Sequence, residues 1–159
     1  MRKLESIIYS INIFLSALCA GFMTFYIIGL GRYFNFLLNN NLIDGFTNYY
    51  SQFRANSNAV SILNIFIGIQ MIIAFLSIII NFRKQPIIGQ IIALSAPIIL
   101  VTLHSLTGFS QSENLINSGS SFSDLYITNY LKYNIPLHII YVAIYSTGSL
   151  LLIFQRRQI

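Results

Sequence analysis

Residues 55–82 read ANSNAVSILNIFIGIQMIIAFLSIIINF, and none of them carries a charge. A Lys, Arg or Asp at the centre of a membrane helix costs about 2.5–3.5 kcal/mol on insertion scales, so an uncharged run of this length is what a bilayer selects. A crossing needs about 20 mainly apolar residues. Three further stretches meet that need, residues 6–31, 85–112 and 133–155, each bracketed by charged residues. Together they predict an all-α integral membrane protein of one domain. The expected architecture is an antiparallel four-helix bundle with spans at about residues 6–30, 60–80, 87–106 and 136–154.

The composition agrees. The chain has 159 residues, 55% hydrophobic and 8% charged, where a soluble domain has about 25% charged. The net charge of +5 does not point to nucleic acid, because no basic run with interleaved polar residues exists to grip phosphates. The lipid bilayer is the expected partner. The positive charges pair up as Arg2–Lys3, Arg83–Lys84 and Arg156–Arg157, which four crossings place on one side. Arg32, Arg54 and Lys132 stand singly on the other side, near Asp44, Glu113 and Asp124. The positive-inside rule then puts both termini in the cytoplasm of a cell of bacterial type, with the protein in its plasma membrane. Met1-Arg2-Lys3 and Ala17-Leu18-Cys19-Ala20 loosely mimic a secretion signal. The apolar run continues to Leu30, however, and Leu18 fits a small-residue cleavage pattern badly, so the segment is expected to stay as the first span. The lone Cys19 excludes an intrachain disulfide and reads as a small packing residue.

Polar residues recur along single helix faces. In the first span Tyr9, Asn12, Ser16, Cys19, Met23 and Tyr26 follow spacings of three and four, which marks the face turned to other helices. Ala17 and Gly21 form a small-xxx-small pair that would permit close helix approach. The third span carries Gln90, Pro97 and His104 on one stripe, and Pro97 should free a carbonyl for a neighbouring polar group. The fourth carries Asn134, His138, Tyr141, Tyr145 and Gly148, with Asn134 expected as N-cap. Asn64 and Gln70 in the second span read either as helix glue or as part of a ligand path. Between spans one and two, Asp44 is expected to cap a short helix with Phe46, Tyr49, Tyr50 and Phe53 on one face, either lying in the outer interface or packing over the bundle mouth as a lid. Residues 107–132, rich in Ser, Asn and Gly, read as an exposed outer loop.

Both histidines fall at one depth. His104 lies near the outer end of the third span and His138 near the outer start of the fourth, and strongly polar groups at membrane depth mark candidate sites. His104, His138 and Tyr141 are the catalytic candidates, with Arg54, Asn64 and Asn134 as ligand-binding candidates. One imidazole could move a proton to or from an apolar substrate, and Tyr141 could donate to a ligand oxygen. The bland alternative is an interfacial His that satisfies a carbonyl or water. Two imidazoles with a carboxylate would suit zinc, copper or iron, but no HxxxH, HExxH or ExxH pair exists, so neither metal nor cofactor is assigned.

The layout resembles the anthrone-oxygenase-like family of small four-span membrane proteins. Ala20-Gly21-Phe22 and Tyr133-Asn134-Ile135-Pro136-Leu137-His138 carry the resemblance. The chain departs from the family pattern in having Tyr141 where Arg is common, no Trp, and no Pro near Gly29. The resemblance implies oxidation or binding of a small hydrophobic molecule, polycyclic or quinone-like, with His138 as the matching position. Two other functions stay open: an accessory or structural subunit that recruits a membrane-protein partner or a second copy, and a small transporter or channel. The last is weakened because no span carries Asp, Glu, Lys or Arg in its middle third.

Overall fold

The computed structural model describes residues 2–57, 59–82 and 87–156. All its regular elements are helical: α1 (Arg2–Ile28), α2 (Leu30–Asn39), a π-helical turn (Gly45–Tyr50) that runs into α3 (Ser51–Asn56), α4 (Ala59–Asn81), α5 (Ile88–Leu106), α6 (Phe109–Asn117) and α7 (Asp124–Arg156). Four segments are long and apolar enough to cross a membrane: Lys3–Asn39, Ile62–Asn81, Ile88–Leu106 and Asp124–Gln155. Arg83 and Lys84 lie outside the described residues, as do Gln85, Pro86 and Arg157. Most of the tight turn that the short 81–86 link between spans two and three implies falls there too.

Burial is inverted relative to a water-soluble protein. Phe14, Phe25, Ile65, Ile72, Val101 and Phe154 point outward, whereas Asn12, Ser16, Gln70, Gln90, Asn134 and Ser149 are buried. An exposed apolar coat of this extent suits lipid and not water. The expected inward stripes hold: Tyr9, Asn12, Ser16, Cys19 and Met23 are buried along α1, Gln90 and Pro97 along α5, and Asn134, His138, Tyr141 and Tyr145 along α7. Ala17 and Gly21 do not pack helices together. Both are exposed, and a Cβ added to Gly21 would meet nothing within 4 Å.

Pro97 behaves as expected, and Gln70 is its partner. Proline lacks the N–H that would bond the carbonyl four residues back. That carbonyl, Ala93 O, accepts instead from Gln70 Nε2 of α4 at 3.0 Å. Gln70 Nε2 also lies 3.4 Å from Ser16 Oγ, so one amide ties α1, α4 and α5 together.

Several boundaries differ from the sequence reading, each for a local reason. The first helical segment does not end at Leu30. After a break at Gly29 it resumes as α2, whose Gly31, Phe34, Leu37 and Leu38 form a buried face while Arg32 points outward. Gly31 is a point of close approach: a Cβ there would fall 2.8 Å from the Tyr26 ring and 2.9 Å from Ile135. Residues 107–132 are not an exposed loop. They fold into α6 and the first turns of α7, because Phe109, Ser112 and Ile116 share a buried face. Gly108 (φ 68°) and Gly119 (φ 71°) bracket α6 in the left-handed region, which suits glycine. Helix α7 therefore begins at Asp124, and Asn134 sits inside it instead of capping it.

The short helix after Asp44 exists, but its aromatic residues divide between two faces. In the wider π-helical turn the N–H of Ser51 reaches the Phe46 carbonyl, a five-residue step. Phe46 is fully buried against Phe34 (ring centroids 5.3 Å apart) and Phe122 (5.9 Å), and Tyr50 packs on Phe34 at 4.5 Å. Tyr49 and Phe53 are 75% and 59% exposed. Asp44 itself is helical in conformation and its side chain makes no capping bond.

Candidate functional site: a histidine pair in an aromatic cluster

Four elements converge on the two histidines. The last turn of α5 presents His104, α7 presents His138 and Tyr141, α1 presents Tyr26, and α6 presents Phe109 and Glu113. The imidazole centroids of His104 and His138 are 6.2 Å apart, and the Tyr141 ring lies 5.5 Å from one and 5.7 Å from the other. Tyr26 stacks on His138 at 4.1 Å with an interplanar angle of 23°. Phe109 meets His104 edge-on at 4.9 Å and continues the cluster to Tyr130 at 5.4 Å. The rings are in direct contact, so a ligand reaching the imidazoles would have to part them.

The two imidazoles are held differently. His138 Nδ1 lies 2.6 Å from the Asn134 carbonyl oxygen. A carbonyl only accepts, so Nδ1 carries a proton and the neutral ring keeps its lone pair on Nε2. His104 Nδ1 faces Glu113 Oε2 at 3.8 Å, beyond hydrogen-bond length, and its Nε2 is buried without a partner in the protein. Burial pushes the Glu113 carboxyl up from its ordinary 4.5 to about 7, with the Arg54 charge pulling it partly back.

The other candidates occupy different places. Asn134 is a strap: its Nδ2 donates to Gly31 O (3.1 Å) and Asn35 Oδ1 (2.8 Å), and its Oδ1 accepts from Tyr26 OH (2.8 Å). It thereby sets the ring that stacks on His138. The Tyr141 hydroxyl donates to Leu100 O at 3.2 Å, so its proton is committed to backbone instead of being offered to a ligand. Arg54 Nη2 bonds Asn114 Oδ1 at 3.0 Å and so braces α6 from α3. Asn64 is exposed on α4 and takes no part in the cluster.

Tyr26, Phe109 and Tyr130 are the ring neighbours that the sequence did not single out as site residues. Tyr26 ends the polar stripe of α1, and that position was its only signal. Phe109 and Tyr130 fell in the segment read as loop. Among the described residues, no group of three His, Cys, Asp or Glu side chains is arranged to hold a metal ion. No protein-family model, curated protein or solved structure matches this chain.

Proposed function

We propose that this is a plasma-membrane protein, an antiparallel four-helix bundle with both termini cytoplasmic. In this reading it binds a small hydrophobic polycyclic or quinone-like molecule at the outer-leaflet level through His104 and His138. The observation that carries the reading is the histidine pair itself. One imidazole has its tautomer fixed by a carbonyl, the other has a buried ring nitrogen with no protein partner, and aromatic rings surround both, one stacked on His138 and one edge-on to His104. Such a setting suits a flat apolar molecule with an oxygen at its edge: the rings stack on its faces and the free nitrogens exchange a proton with the oxygen. Oxidation of the bound molecule is what the resemblance to the anthrone-oxygenase-like family adds. The transporter alternative loses support because Asn64 is exposed and Gln70 Nε2 is committed to Ala93 O.

The chain has ten Tyr and no Trp, so binding can be followed as quenching of tyrosine emission by a naphthoquinone in detergent micelles. Saturable quenching that weakens at least about tenfold in His138→Ala, about 1.4 kcal/mol of binding, is the expected result. Equal quenching by a folded protein with both histidines replaced would refute the reading.

A further inference from the structure

Far from the histidines, toward the end of the helices that holds the N-terminus, a second group of polar side chains is buried without partners. Asn12 of α1 and Gln90 of α5 are both 0% exposed, and neither amide atom of either residue has a hydrogen bond within the protein. Gln70 Oε1, Ser77 Oγ and Ser149 Oγ are likewise buried and unpartnered. Every long helix therefore contributes: α1, α4, α5 and α7.

The contacts fix these groups in register. Ser16, Gln70 and Ala93 meet through the Gln70 amide. Tyr9 OH donates to Leu152 O at 2.9 Å, and a Cβ on Gly89 would stand 2.9 Å from Leu152 N. Ser16 and Ala93 thus mark one level, and along the helices Tyr9 and Gly89 lie about 10.5 Å and 6 Å from it toward Leu152. Asn12 lies between Tyr9 and Ser16, and Gln90 lies between Gly89 and Ala93. At a rise of about 1.5 Å per residue they sit about 6 Å and 4.5 Å from the Ser16–Ala93 level, in the same layer.

Buried amides and hydroxyls in native proteins are nearly always paired with protein or with ordered water. A Cβ on Gly148 would stand 3.3 Å from Ala93 N, which brings the neighbouring Ser149 to the same layer. The groups in this layer include two amide NH₂ donors, three amide oxygens and the Ser149 hydroxyl, and no charged side chain is among them. A cation would suit the oxygens and repel the NH₂ groups, and an anion the reverse. A small neutral molecule that both donates and accepts suits all of them. We infer that the layer bounded by Asn12, Gln70, Gln90 and Ser149 is an internal binding site for water, an uncharged hydrated chamber within the helices.

The test uses the full chain in lipid vesicles with ¹⁵N-labelled Asn and Gln side chains and ¹⁵N-labelled Ala. Transfer of magnetisation from water protons is measured by solid-state NMR. The Asn12 and Gln90 signals are assigned by their loss in Asn12→Ser and Gln90→Ser, which keep a polar side chain, or by segmental labelling should either variant misfold. The expected result is transfer to both side-chain amides at least about threefold faster than to the backbone amides of Ala20 and Ala96, which lie in the apolar cluster. Transfer as slow as at those alanines would overturn the inference, since the two amides would then be dry and paired to each other. A shift of the two signals in sodium chloride but not in choline chloride would overturn it too, by making the ligand a cation.

Discussion

Replacing Gln70 by Leu tests the architecture where it is most specific. The substitution removes the donor that Pro97 leaves Ala93 O to depend on. An interhelical hydrogen bond in a membrane protein averages about 0.6 kcal/mol, with a maximum near 1.7. A buried carbonyl stripped of its partner costs about 1–3 kcal/mol. Gln70 Oε1 is itself buried and unpartnered, so its removal offsets part of that loss. We expect Gln70→Leu to destabilise by about 1–2 kcal/mol, a factor of about 5–30 in the unfolding equilibrium. Pro97→Ala supplies the missing N–H at the correct position in the helix. In that background Gln70→Leu should cost no more than about 0.5 kcal/mol, a coupling of about 1 kcal/mol between two residues on different helices. The assay is unfolding in dodecylmaltoside micelles by added SDS, followed by far-ultraviolet circular dichroism for all four members of the cycle. An equal cost of Gln70→Leu in both backgrounds would refute the argument, because Ala93 O would then not depend on the glutamine.

Gly31→Ala should destabilise by about 1–3 kcal/mol through its contacts with Tyr26 and Ile135, and the same SDS titration measures it. Tyr26→Phe keeps the stacked ring and loses the bonds to Asn134 and Tyr130; a loss of about 0.5–1.5 kcal/mol is expected, with naphthoquinone quenching weakened less than by His138→Ala. Glu113 titrates near 4.5 when unfolded and near 7 when folded, so folding favours its protonated form. That contribution is full below about pH 4.5, declines as pH rises and is gone above about pH 7, and Glu113→Gln should flatten the profile across this window. A stability profile that keeps the same slope in Glu113→Gln would assign the titration to another group.

The helical class and the inward stripes were legible because membrane helices advertise themselves by missing charge, and their packing faces by spaced polar residues. The release of a carbonyl by Pro97 could likewise be read from proline's covalent structure alone, although its recipient could not. Boundaries were the weak point. Arg32 and Lys132 looked like span ends, yet both side chains simply point outward from helices that continue past them. Helix α6 hid behind Ser and Asn because its buried face, Phe109, Ser112, Ile116 and Asn117, holds only two apolar residues and does not stand out from a polar background. Of the candidate site, the meeting of His104 with His138 followed from depth and connectivity. The placement of Tyr26 depended on the close approach at Gly31, and the exposure of Asn64 on the rotation of α4. Neither is written in residue spacing.

The helical segments differ greatly in length, and that has a consequence for where a ligand would be met. Lys3–Asn39 has 37 residues, with a break at Gly29, and Asp124–Gln155 has 32, a contour rise of about 55 and 48 Å against an oil layer about 30 Å thick. If that layer starts level with Ile88 and Gln155, His104 and His138 stand about 24 and 26 Å above its floor. The surplus of both rods then rises as a collar above the lipid, bearing α6 and the π-helical turn. The imidazoles would sit at the waterline beneath that collar, where a molecule dissolved in the membrane and a proton from the aqueous phase can arrive from opposite sides.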